Sequence, residues 1–168
     1  DLKYGRTVHS LSKLLNLFKD VSFSFVSPKQ LAMPVEVIEL LIASGHQVSE
    51  TDNLESGLAN ADIVYQTRIQ EERFPSKDQA NSFRGAFRIN RYAYSQFCQP
   101  TTVIMHPLPR DSRDDANELD TDLDQHPNMA IFRQADNGVL VRMALFALIM
   151  GVENKLKEHE VSIQWKPL

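Results

Sequence analysis

The sequence predicts an α/β fold, a doubly wound parallel sheet with helices on both faces. Strand-like and helix-like segments alternate from the start of the chain, the pattern of βαβ units. Three short segments with the chemistry to hold a ligand fall where strands end, and open α/β sheets bind ligands there. Cys98 is the single cysteine among 168 residues, so no internal disulfide forms and an ordinary apolar core must hold the domain.

The elements follow in order. The opening Asp1-Leu-Lys-Tyr-Gly-Arg6 is polar, with Gly5 permitting a tight bend. Thr7 is a candidate helix cap, and Val8, Leu11, Leu14, Leu15 and Phe18 recur behind it at helical spacing. Val21 to Val26 alternates apolar and polar, which predicts a strand. Ser27-Pro28 and Pro34 mark a loop. Val35, Ile38, Leu41 and Ile42 restart a helical stripe that Gly45 is placed to stop. His46 to Glu50 is a weaker strand, Asn53 caps a short helix through Ala59, and Asp62 to Thr67 is a strong strand. The polar stretch 71–100, with Arg73, Lys77, Arg84, Arg88 and Arg91, predicts a loop and one or two short helices. Thr101 to Met105 is a strand that runs into His106-Pro-Leu-Pro-Arg110, and the acidic stretch Asp111 to Asp124 reads as a solvated loop. A last long helix is expected from Val139 to Lys155, followed by a polar tail that holds Trp165. The expected organisation is an α/β domain over 1–138 and a terminal helix and tail over 139–168.

Composition narrows the function classes. A net charge of −4 and a pI near 5.7 imply no basic face for nucleic acid. The longest apolar stretch, Val139 to Met150, is too short for a membrane span and carries Arg142. No signal peptide is read at the amino end, so a reduced cytoplasm is the expected location. Asp1 rather than Met at position 1 is what a processed or excised piece would show. His9, His46, His126 and His159 lack metal-ligand spacing, Cys98 has no motif around it, and no Gly-rich phosphate loop or nucleophile elbow is present.

Three segments remain. In Lys3-Tyr-Gly-Arg-Thr7, Arg6 stands at the start of a helix, where anions are favoured; a surface loop with solvated cations would look the same. In Thr67-Arg-Ile-Gln70, residues two apart share a side in extended chain, so Arg68 and Gln70 would face one carboxylate while Ile69 turns inward; the alternative is an exposed strand end. In His106-Pro-Leu-Pro-Arg110, two prolines exclude a regular ladder and leave carbonyls such as that of Leu108 free for a ligand N–H; the alternative is a proline-stiffened loop. An X-Pro bond here has a cis option.

Together, Asp1-Leu-Lys-Tyr-Gly-Arg-Thr-Val-His-Ser-Leu11, Thr67-Arg-Ile-Gln-Glu-Glu-Arg-Phe74, Met105-His-Pro-Leu-Pro-Arg110, Phe132-Arg-Gln-Ala-Asp-Asn-Gly138 and Val141-Arg-Met-Ala-Leu145 resemble the aspartate carbamoyltransferase family. The resemblance runs to about residue 152 and covers only the family's carboxyl-terminal, aspartate-binding half, of Rossmann-like type. It implies that the half-domain's first strand and the carbamoyl-phosphate domain, with its Ser-x-Arg-Thr-Arg motif, lie upstream. The terminal helix would pack on that domain. By resemblance, Arg6 and Arg68 hold the two carboxylates of L-aspartate with Gln70 assisting. The carbonyls of Leu108 and Pro109 hold the carbamoyl nitrogen of carbamoyl phosphate, and Lys3 and Tyr4 serve interdomain or intersubunit contacts. Pro107 stands where ornithine carbamoyltransferases carry cysteine, which favours a dianionic amino acid. No residue of this half is assigned a catalytic role, and no cofactor or metal is implied. The implied partners are the carbamoyl-phosphate domain, a homotrimer and regulatory or other pyrimidine-pathway chains. The rival reading is a carbamoyltransferase-like scaffold subunit without catalysis. Three departures from the family pattern stand out: the long acidic stretch 111–124, Ile131 where tyrosine is usual, and the extended tail from Glu153.

Overall fold

The computed structural model describes residues 1–156; the tail with His159 and Trp165 lies outside the described residues. The chain divides into two units, Asp1–Ile131 and Phe132–Leu168. The first is α/β with parallel strands. It contains helix α1 (Arg6–Leu15), strand β1 (Ser22–Val26), helix α2 (Val35–Ala43), strand β2 (Gln47–Thr51) and helix α3 (Leu54–Leu58). Strand β3 (Ile63–Tyr65), helices α4 (Lys77–Asn81) and α5 (Arg91–Phe97), and strand β4 (Val103–Met105) follow.

β1 pairs with β2 in parallel, Phe23 opposite Val48 and Phe25 opposite Glu50. β3 pairs with β4 in parallel, Val64 opposite Ile104. The chain beyond β4 adds a bridge: Ile104 donates its N–H to Asn128, and Ala130 donates to the Ile104 carbonyl. Period-two alternation in β1 turns Phe23 and Phe25 inward, where they pack with Val8, Met33, Val37 and Leu41. A second cluster joins Val64, Ile104, Ile89, Tyr94, Leu119 and Ile131.

Local signals fix several boundaries. Asn53 caps α3, its side-chain oxygen accepting from the Ser56 N–H at 2.8 Å. After α2, Gly45 takes φ +87°, and the His46 and Gly45 N–H groups close back on the carbonyls of Leu41 and Ile42, a Schellman stop. Gly57 is required by approach: a Cβ there would collide with the Val26 side chain as α3 crosses β1.

Other expectations are corrected. α1 starts at Arg6 with Gly5 as its cap, so Thr7 lies inside the helix. Gly5 itself has φ −74°, open to any residue; it is needed because a Cβ would strike the Asp1 carbonyl oxygen. α1 ends before Phe18, which is exposed together with Leu14. α2 buries Val37 and Leu41 and leaves Val35 and Ile42 exposed. The stretch 111–124 is no solvated loop: Ala116, Glu118, Leu119 and Leu123 are buried, and Thr121–Leu123 forms a 3₁₀ turn.

The second unit is dominated by α6 (Ile131–Ile149), which begins eight residues before its expected start at Val139. It passes through Gly138 and stops at Gly151, φ +64°, in a second Schellman arrangement with Val152 and Gly151 donating to Ala147 and Leu148. α7 (Glu153–Leu156) follows. α6 leaves Leu140, Met143, Phe146 and Ile149 more than half exposed. Among the described residues, no helix is long and apolar enough to cross a membrane.

Candidate ligand site at the strand ends

The strands form two parallel pairs, β1 with β2 and β3 with β4, so the segments after Tyr65 and Met105 share one edge, and the chain after Val26 meets the chain after Tyr65 in the lining of one small cavity. The β3–β4 ladder runs one step further, with the Gln66 N–H donating to the Met105 carbonyl at 3.0 Å. The Gln66 side chain then donates to the carbonyls of Phe87 and Glu118. The turn that follows β3 is thereby held against the chain after β4.

The opening segment is tied to the same turn. Leu2 and Lys3 donate their N–H groups to the Leu31 carbonyl. The Asp1 carboxylate accepts from the Tyr4 N–H at 3.0 Å with one oxygen and from the Gln70 N–H at 3.1 Å with the other. One side chain thus brings together the segment that carries Arg6 and the turn that carries Arg68 and Gln70. Arg6 is exposed at the first position of α1 and forms no ion pair with the described residues. Tyr4 meets Phe74 edge-on at 5.4 Å, and the Lys3 Nζ lies over the Tyr4 ring at 5.2 Å.

Arg68 is less free than its sequence position suggests. Its guanidinium donates to the Ile69 carbonyl and, through both terminal nitrogens, to Glu72, at 3.0 Å for the shorter bond. Of the five N–H groups of an arginine, about two remain. The Glu72 carboxyl lies below its usual range, first through its own backbone N–H and then through Arg68. Ile69 is half-buried, as are Arg68 and Gln70, and lines a cavity of about 60 Å³ with Leu2, Tyr65 and Phe83 instead of joining either core cluster.

His106 is buried and shapes the proline segment. Its Nδ1 accepts the Leu108 N–H at 2.8 Å, so Nε2 carries the ring hydrogen and meets the Glu118 carboxylate, also at 2.8 Å. That carboxylate accepts the Asp111 N–H as well. Both ends of the motif are therefore held by one buried pair. The Leu108–Pro109 peptide is cis and Leu108 has φ +55°. The carbonyls of Leu108 and Pro109 accept no hydrogen bond from the described residues, which leaves their lone pairs for an incoming N–H. Leu108, Pro109, Arg110, Asp111, Asn117 and Thr121 line a cleft of about 670 Å³. Arg110 itself is taken by Asp124 in a two-pronged pair at 2.7 and 3.2 Å.

A charge cluster joins the two loops. Glu71, next to Gln70, accepts from Arg84 and Arg113, and Arg113 also grips Asp111, next to Arg110. Arg84 and then Arg113 hold the Glu71 carboxyl down to about 2. Arg113, with a smaller share from Arg68, holds that of Asp111 down to about 2. Both values lie below those of the unfolded chain. The stabilisation is therefore present above about pH 4.5 and lost as the pH falls through about 2. The melting-temperature difference between the protein and its Glu71→Gln variant should be full at about pH 6 and shrink steadily towards about pH 2. A difference that stays constant across that range would show that Glu71 contributes nothing through its charge.

The sequence reading passed over Asp1, Glu71, Arg113 and Glu118. Asp1 and Glu71 stand in motifs that give them no role, and Arg113 and Glu118 lie in the acidic stretch expected to be a solvated loop. Burial pushes the Cys98 thiol up to about 11, in keeping with an inert cysteine. Among the described residues, no group of three His, Cys, Asp or Glu side chains could hold a metal ion.

Parallel strands with helices between them, and two candidate segments beyond the carboxyl ends of β3 and β4, define an α/β domain of the open-sheet type. The chain belongs to the aspartate/ornithine carbamoyltransferase family, Asp/Orn binding domain, whose model matches residues 1–149. It is 61% identical over 165 residues to the aspartate carbamoyltransferase catalytic subunit of Cellvibrio japonicus, covering 98% of this chain and 49% of that protein. The solved catalytic subunit of M. jannaschii aspartate transcarbamoylase matches with a TM-score of 0.77 at 41% identity, over 91% of this chain and 48% of the other. Aspartate transcarbamoylase from Trypanosoma cruzi, solved with N-(phosphonacetyl)-L-aspartic acid, matches with a TM-score of 0.75 at 35% identity, over 87% and 46%. The chain spans about half the length of the curated relatives it matches.

Proposed function

We propose that this chain is the aspartate-holding half of an enzyme that transfers the carbamoyl group of carbamoyl phosphate to L-aspartate. The carrying observation is the tie between segments: the Asp1 carboxylate joins the segment of Arg6 to the turn of Arg68 and Gln70, and the β3–β4 ladder joins that turn to the chain leading to Leu108 and Pro109, whose carbonyls accept no hydrogen bond from the described residues. Arg6 and Arg68 take the two carboxylates, and the Gln70 amide adds one more donor. The carbonyls of Leu108 and Pro109 hold the carbamoyl NH₂. The neutral α-amino nitrogen attacks the carbamoyl carbon. The tetrahedral intermediate collapses as the C–O bond to phosphate breaks, phosphate leaves with the electron pair, and the amine loses a proton. Acceleration comes from positioning and charge stabilisation, with no covalent protein intermediate.

The exposed apolar residues of α6 support packing against a preceding carbamoyl-phosphate half. A homotrimer in a reduced cytoplasm completes the reading. The test is direct: the full-length protein with both substrates should release phosphate and form N-carbamoyl-L-aspartate, with ornithine refused. Aspartate binding without turnover would point to a scaffold subunit instead. Failure to bind aspartate would end the proposal.

A further inference from the structure

We infer that Arg113 is a positioning residue, which locks the turn bearing Arg68 and Gln70 to the segment bearing Leu108 and Pro109 by gripping Glu71 and Asp111 at once. The inference rests on the proposed aspartate site and names a device that holds that site in shape.

Glu71 follows Gln70 directly and opens the 3₁₀ turn Glu71–Arg73. A carboxylate has about four lone-pair positions, and on Glu71 all are used. Arg84 donates through Nε and Nη2 at 2.8 and 3.0 Å, and Arg113 through Nη2 and Nη1 at 2.7 and 3.3 Å. Arg113 donates Nε to Asp111 at 2.9 Å, and its own backbone N–H closes on the same carboxylate at 3.1 Å. Arg84 reaches back to Asp115 at 3.1 Å. The line continues inward, for the Asp111 N–H is held by Glu118, which is held by His106. A single chain of charged hydrogen bonds therefore runs from the buried base of the proline motif to the residue beside Gln70.

An isolated exposed ion pair contributes little. This arrangement differs in kind: it is a two-pronged network that spans 42 positions of sequence, from Glu71 to Arg113, and joins the two loops beyond the point where the β3–β4 ladder ends. It also gives the acidic stretch 111–118 a purpose that its composition did not reveal. Its carboxylates hold Arg113 and Arg84 in place rather than facing solvent alone.

The experiment is a double-mutant cycle in the full-length protein, with Arg113→Gln, Glu71→Gln and both. Arg113→Gln should raise the aspartate KM about tenfold, the scale of coupled neighbours, with carbamoyl phosphate affinity much less affected because His106 and Glu118 still anchor the Leu108–Pro109 segment. The double variant should be no worse than Glu71→Gln alone. Amide exchange of residues 67–74 should accelerate in Arg113→Gln. Faster exchange with an unchanged aspartate KM would reduce the network to a structural brace and overturn the inference, as would additive losses. A wild-type protein that binds no aspartate would instead overturn the site itself, whatever the exchange shows.

Discussion

Arg68→Ala in the full-length protein is expected to raise the aspartate requirement steeply while leaving the binding of carbamoyl phosphate alone almost unchanged. The guanidinium has about two N–H groups left after Ile69 and Glu72 are served, enough for a two-pronged grip on one carboxylate. Removing one partner of such a charged, hydrogen-bonded pair costs about 2–4 kcal/mol, or roughly 30- to 1,000-fold in the aspartate KM. On the proposed assignment Glu72, paired with Arg68, sets the orientation from which the grip is made and competes with the ligand for the same cation. Steady-state kinetics with each substrate varied, together with calorimetric titration of carbamoyl phosphate, separate the two affinities. Equal loss of both would show that Arg68 supports the fold of the site and not the amino acid.

Features encoded within a few residues were legible before the structure. Phe23 and Phe25 alternate with serines and form a strand with both rings inside. Asn53 caps its helix, and Gly45 stops another by taking a left-handed conformation. The positions of Thr67–Gln70 and His106–Arg110 beyond β3 and β4 were legible for the same reason, because the paired strands end on one edge. The phase of α2 was not. Seven of the nine residues of Val-Glu-Val-Ile-Glu-Leu-Leu-Ile-Ala are apolar, so several faces fit the helical period, and packing against β1 selects Val37 and Leu41. The start of α6 was hidden by Asn137-Gly138, which reads as a break, yet a helix tolerates one glycine at about 1 kcal/mol.

Long-range charge was the least legible feature. Asp115 and Asp120 find Arg84 and Arg88 across the fold, and Glu71 finds Arg113. A count of carboxylates cannot reveal which cation folds back onto them. Glu118 makes the same point from the interior. Its burial follows from a bond to His106, twelve residues away, and not from any apolar pattern around it.

Asp1→Asn tests the site at its joint. The carboxylate offers one oxygen to the Tyr4 N–H and the other to the Gln70 N–H. An asparagine keeps one acceptor and turns an NH₂ towards the other donor, so one backbone N–H loses its partner, at a cost of about 1–3 kcal/mol. The larger effect is geometric. Arg6 leaves the opening segment and Arg68 leaves the β3 turn, and this side chain links them. A misplacement of about 1 Å in such a pair can cost on the order of 100-fold in rate. The expected result is a fall of that order in kcat/KM, spread over kcat as well as the aspartate KM, with carbamoyl phosphate affinity unchanged. On the proposed assignment Arg68→Ala removes a contact to the substrate, so its loss falls mainly on KM. Asp1→Asn leaves both arginines present and misaligned, so the rate of the chemical step falls too. Wild-type kinetics in Asp1→Asn would mean that the two segments hold their places without it, and that the site is organised from some other point.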